Sequence, residues 1–133
     1  MPSIRLNENR ISAILEDKKG TLWVATAGDF PVFENKLFYY DKRKRQWDTV
    51  PVNPNDSHSL FSSKVRALYE DKKGHLWIGT TEGLHRLNRS TNSFTRYPSR
   101  VPIQLISEDA WGNFWLEVMK TITTLPGLLL LIH

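Results

Sequence analysis

Ile11–Thr26 reads ISAILEDKKGTLWVAT, and Val65–Thr80 reads VRALYEDKKGHLWIGT. Ile103–Val118, IQLISEDAWGNFWLEV, is a third and more divergent copy. The shared frame is apolar-x-x-apolar-x-Glu-Asp-x-x-Gly-x-apolar-Trp-apolar. Self-similarity at intervals of a few tens of residues marks a repeat architecture. Each copy is then one structural unit, and the residues the copies share are read as scaffold rather than as a catalytic site.

Trp23, Trp77 and Trp115 stand 54 and then 38 residues apart. Two longer connections in the first unit, Ala27–Lys36 and Pro51–Lys64, account for the difference when Leu37–Val50 is aligned with Leu84–Tyr97. Short β-rich runs bounded by Gly, Asp, Asn and Ser predict strands joined by tight turns. The first unit is expected to carry strands at Ile11–Glu16, Thr21–Thr26, Leu37–Asp41 and Gln46–Val50. The second is expected to carry them at Val65–Glu70, His75–Thr80, Leu84–Asn88 and Ser93–Tyr97. No helical period competes over a long window.

Asp17 and Asp71 suit the first position of a type I turn, where the carboxylate accepts backbone N–H groups. Gly20 and Gly74 suit the left-handed position that follows, which a Cβ disfavours. Asp109–Gly112 keeps both ends of that turn. The adjacent acids Glu16, Glu70 and Glu108 are read as solvated or as cross-strand partners of the lysines. Metal binding or acid/base work by the Glu-Asp pairs is the sharper reading, but they recur with the turn and with no His or Cys. Trp23, Trp77 and Trp115 are read as packing between stacked sheets, with carbohydrate stacking as the alternative. Trp47 and Phe94 occupy matching places and are read as core. Trp111, in a turn without counterpart, is expected to be exposed.

These units resemble the two-component regulator propeller repeat. The second copy matches that pattern through Glu70, Asp71, Gly74, Leu76, Trp77, Gly79, Thr80, Gly83, Leu84, Phe94 and Tyr97. The first departs at Ala25, where Gly is usual, and the third at Glu117-Val118, where Gly-Thr is usual. The resemblance implies an all-β chain forming an incomplete β-propeller of about two and a half four-stranded antiparallel blades. The expected division is a leader over 1–10, blade 1 over 11–64, blade 2 over 65–102, a partial blade 3 over 103–118 and an apolar tail over 119–133. The resemblance also implies a periplasmic sensor region of a bacterial hybrid two-component histidine kinase, working through a phosphorelay and often tied to polysaccharide use. It identifies scaffold positions and carries over no ligand contact.

The chain has 133 residues and no cysteine, which excludes disulfides and thiolate metal sites. Propellers have four to eight blades, so the remaining blades of a parent propeller, or other copies of this chain, are the expected partners. Lys120–His133, KTITTLPGLLLLIH, fits no repeat. Truncation, such as a frame change near Glu117, is one reading; a short apolar helix or strand over the open edge is the other. Its apolar run is far shorter than the ~20 residues that span a bilayer. No apolar signal segment follows Met1-Pro2-Ser3. The net charge is +4, concentrated at Lys42-Arg43-Lys44-Arg45. That run is read as a solvated turn rather than a nucleic-acid patch. The four histidines show no ligand spacing, so no metal, cofactor or catalytic residue is assigned.

The functional reading is a ligand-sensing propeller fragment, oligosaccharide-responsive by resemblance. Its candidate residues lie in the two long loops: Phe30, Phe33, Asn55, Asp56 and His58. A structural or protein-interaction scaffold is the alternative. A propeller enzyme of the sialidase sort is disfavoured: against the Ser-x-Asp-x-Gly-x-Thr-Trp box, the Asp–Gly gap is one residue longer and the Ser is missing.

Overall fold

The computed structural model describes residues 10–27, 35–60, 62–98, 102–118 and 127–132. The first unit forms β1 (Arg10–Glu16), β2 (Leu22–Ala27), β3 (Lys36–Asp41) and β4 (Gln46–Thr49), one antiparallel sheet in chain order. The second forms β5 (Val65–Glu70), β6 (Leu76–Thr80), β7 (Gly83–Asn88) and β8 (Ser93–Pro98), with the same order. Every strand end in these two sheets lies within one residue of the sequence reading. The third sheet holds β9 (Ile103–Glu108), β10 (Phe114–Val118) and β11 (Gly127–Ile132), in the order β11-β10-β9. The sequence from 119 onward carries no repeat motif, yet its backbone at Gly127–Ile132 supplies the third strand of this sheet. The protein is an all-β, incomplete propeller.

Register repeats along with sequence. Glu16 faces Leu22, Glu70 faces Leu76 and Glu108 faces Phe114, so each Glu-Asp-x-x-Gly turn closes the same hairpin. A register shift falls between Ile11 and Ala13, between Val65 and Ala67, and again between Ile103 and Leu105. An extra residue at a fixed place bends the inner strand in each copy. Gly20 and Gly74 adopt φ of 81° and 86°, as the turn requires.

Apolar side chains are buried between the sheets. Trp23, Leu37, Leu60, Val65, Ile78 and Phe94 belong to one buried cluster, between the first and second sheets. Trp77, Leu84, Ile103, Ile106 and Leu116 belong to another, between the second and third. The blades therefore have no private cores. Each is stabilised by its neighbour, as stacked repeats are. Trp47 is half-buried rather than core, packed at 5.3 Å against Tyr40.

Candidate functional site

The repeated aspartate organises three things at once. Asp17 Oδ1 accepts the backbone N–H of Lys19 (3.0 Å) and Thr21 (2.8 Å), and its Oδ2 accepts the Trp23 indole N–H (3.0 Å). Asp71 binds Lys73, His75 and Trp77 in the same way, at 2.9, 2.8 and 2.8 Å. Asp109 binds Trp111, Asn113 and Trp115 at 2.9, 2.9 and 3.0 Å. The link to tryptophan was not read from the sequence, although the constant Asp-to-Trp separation of six residues signals it. Burial raises the Asp17 and Asp71 carboxyls, but hydrogen bonds from the indoles and backbone outweigh it and hold both below the ordinary value. The Trp115 indole, with Asn113 and Trp111, lowers Asp109 to about 2. Carboxylates so engaged serve the turn.

Glu70 and Glu108 work between blades, which corrects their reading as solvated groups or cross-strand partners. Glu70 Oε1 accepts the backbone N–H of Lys18 in the first blade (2.8 Å), and Glu108 Oε2 accepts that of Lys72 in the second (3.0 Å). The ammonium groups of Lys18 and Lys72 reach the carbonyls of Asp71 and Asp109 across the same interfaces. Arg89 adds a clamp: it donates to Asp17 Oδ2 (3.0 Å), Glu70 Oε2 (3.2 Å) and the Gly74 carbonyl (3.0 Å). The cause is geometric: the turn of one blade stands beside the inner strand of the next. Glu16, whose place is equivalent, is exposed.

Equivalent positions differ in burial at the two ends of the described sheets. Trp23 and Trp77 are 6% and 5% exposed, but Trp115 is 41% exposed. Its reading as inter-sheet packing is therefore corrected: among the described residues no further blade covers the third sheet. On the opposite end, Val65 and Ile103 are each 1% exposed while their counterpart Ile11 is 46% exposed. Ile14 and Leu105 are also exposed, and Trp111 is exposed as expected.

Where the repeat is broken, a cavity of about 800 Å³ opens between the first two blades. Trp23, Tyr39, Tyr40 and Phe94 form its apolar wall. Trp23 and Tyr39 lie 5.2 Å apart at 36°. The inserted segment after β4 closes one side. Its Leu60 is fully buried in the core. Arg96 clamps it from β8, donating to the carbonyls of Ser59 (2.7 Å), Asn53 (2.7 Å), Pro54 (3.1 Å) and Asp56. The His58 carbonyl accepts the Phe94 N–H at 2.7 Å.

Asp56 and His58 line this cavity. Asn55 is exposed and serves the loop, donating its N–H to Asn53 Oδ1. Phe30 and Phe33 lie outside the described residues. The basic run is exposed, as a solvated turn should be, but Lys42 and Arg43 also line the cavity rim. Tyr39, Tyr40 and Arg96 were missed because a turn or insertion has no period from which its neighbours can be read. Among the described residues, no three His, Asp or Glu side chains group closely enough to hold a metal. No helix of the described residues is long and apolar enough to cross a membrane.

The family model described as "Two component regulator propeller" matches residues 5–28 and 59–82. No curated protein matches the chain. Among solved structures, it is similar to the extracellular domain of BT4673 from B. thetaiotaomicron, described as a hybrid two component system. That likeness has 21% identity and a TM-score of 0.63, over 89% of this chain and 18% of the other. The extracellular domain of BT3049 from the same organism, likewise described as a hybrid two component system, matches with 17% identity and a TM-score of 0.57. That match covers 87% of this chain and 23% of the other. The chain thus spans less than a quarter of either domain, and the likeness establishes the fold.

Proposed function

We propose that this chain, which carries two-component regulator propeller repeats, contributes blades to a sensor propeller of a two-component signalling protein. In this reading the propeller lies outside the cytoplasm, responds to an oligosaccharide and passes the signal to a kinase or regulator elsewhere in the parent. The observation that carries the reading is the family match over 5–28 and 59–82. It falls on the two units whose turns are bonded across the first blade interface. The aromatic-walled cavity supports the ligand: ligand sites are concave and mostly apolar, with a few converging polar groups. The reading assigns no catalysis to this chain.

The test is an oligosaccharide array probed with the folded chain. Binding to an oligosaccharide, with quenching of tryptophan fluorescence and loss in Tyr40→Ala, is the expected result. A blank array with the β-sheet circular dichroism intact contradicts the ligand part of the proposal. A second reading, docking with further blades or other copies and no small ligand, is favoured by the exposed Ile11, Ile14, Leu105 and Trp115. A blank array together with concentration-dependent association would support it.

A further inference from the structure

We infer that the cavity between the first two blades binds an acidic oligosaccharide, with sugar faces on the aromatic wall and a carboxylate or sulfate at a cationic rim. The inference rests on the oligosaccharide reading above and names the class of ligand.

The rim is built from two turns. Lys19 comes from the β1–β2 turn, and Lys42 and Arg43 come from the β3–β4 turn; all three are exposed. The turns meet closely: the Lys42 ammonium occupies the space where a Cβ on Gly20 would stand. A glycine there lets a cation lie over the first turn. Lys42 also holds the place that Arg89 holds in the second blade. Arg89 is committed to Asp17 and Glu70. Among the described residues, the side chains of Lys19, Lys42 and Arg43 make no ion pair.

The acids of the lining are occupied by their own loops. Asp41 Oδ1 accepts the N–H groups of Arg43 (2.9 Å) and Lys44 (3.2 Å), and Asp56 Oδ1 accepts that of His58 (2.9 Å). Cations therefore predominate at the mouth, with aromatic rings behind them. A sugar ring presents apolar C–H faces that suit stacking on an aromatic ring, and an anionic substituent on it suits unpaired ammonium and guanidinium groups. A neutral sugar would leave the three cations without a partner, and a small inorganic anion would leave the aromatic wall uncovered.

The experiment is calorimetric titration of the whole chain with trigalacturonate, a sulfated chondroitin disaccharide and neutral cellotriose, at low and high salt. A second arm uses the exposed double variant Lys42→Ala/Arg43→Ala, with its melting temperature measured alongside. The expected result is binding of trigalacturonate or the sulfated disaccharide, weakened at least about tenfold by the double variant and by salt. Which of the two binds identifies the anion as carboxylate or sulfate. Equal binding of cellotriose, or acidic binding untouched by the folded double variant, overturns the inference and leaves the oligosaccharide reading standing. No binding of any of the three by the folded chain overturns the inference; the array then decides the broader reading.

Discussion

At Asp71, two backbone N–H groups, an indole N–H and the His75 ring converge on one buried carboxylate. Removing an acceptor strands its donors, and a buried unsatisfied donor costs about 1–3 kcal/mol. Asp71→Ala should therefore cost roughly 2–4 kcal/mol in urea unfolding. Asp109→Ala should cost clearly less, because Trp115 is exposed to water; equal losses would contradict this account of the turn. His85, fully buried in β7, is a second such point. Burial pushes its pKa down to about 4, against a hydrogen bond with the Ile78 backbone and aided by the Arg96 charge. The folded state thus holds a neutral imidazole where the unfolded chain takes a proton. Its contribution is fully present above pH 6.5 and is lost as pH falls toward 4, to the extent of about 3 kcal/mol. The lowered carboxyls of Asp17, Asp71 and Asp109 add losses at lower pH. Phe38 stands at the equivalent place in the first blade, so His85→Phe should flatten the stability profile between pH 6.5 and 4. Urea midpoints across that range check it.

Among the elements, β6 shows how tightly blades approach. A Cβ on Gly79 would stand 2.9 Å from the Ile103 carbonyl and 3.2 Å from Ala67 Cβ. Gly79→Ala should cost about 1–3 kcal/mol through overpacking. The first blade carries Ala25 at this place, fully buried, so Ala25→Gly should lose only roughly 0.5–1 kcal/mol. Thermal melts of the two variants compare them. The β3–β4 turn gives the opposite sign. Arg45 and its counterpart Asn92 both adopt φ of 53°. Asn tolerates this region and Arg does not, so Arg45→Gly should stabilise by roughly 0.5–1 kcal/mol while Asn92→Gly changes little. Strands and turns were legible in the sequence because alternation, Asp and Gly act locally and recur in three copies. The cavity was only half legible. Asp56 and His58 stand out as polar residues in an insertion, but what they face is decided by Arg96 and Phe94 of another blade. The strand at Gly127–Ile132 was legible only as one of two readings of the apolar tail, since backbone pairing at an open edge leaves no motif that fixes it.

For the whole molecule, the decisive contrast is between positions that repeat in sequence and differ in burial. Val65 and Ile103 are covered where Ile11 is not, and Trp23 and Trp77 are covered where Trp115 is not. The two ends are complementary: Ile11, Ile14 and Glu16 present the face that a preceding blade covers elsewhere. Leu105 and Trp115 present the face that a following blade covers. Ala110 stands where Lys18 and Lys72 offer an N–H to the next glutamate. Exposed apolar patches of this kind seek partners, and faces that match head to tail form chains or rings. The most direct test is sedimentation velocity of the chain from roughly 1 to 100 µM, alongside the exposed-face variant Ile14→Asp. The account predicts a sedimentation coefficient that rises with concentration in the parent chain and returns to the monomer value in Ile14→Asp. A parent chain that stays monomeric across the whole range would contradict it.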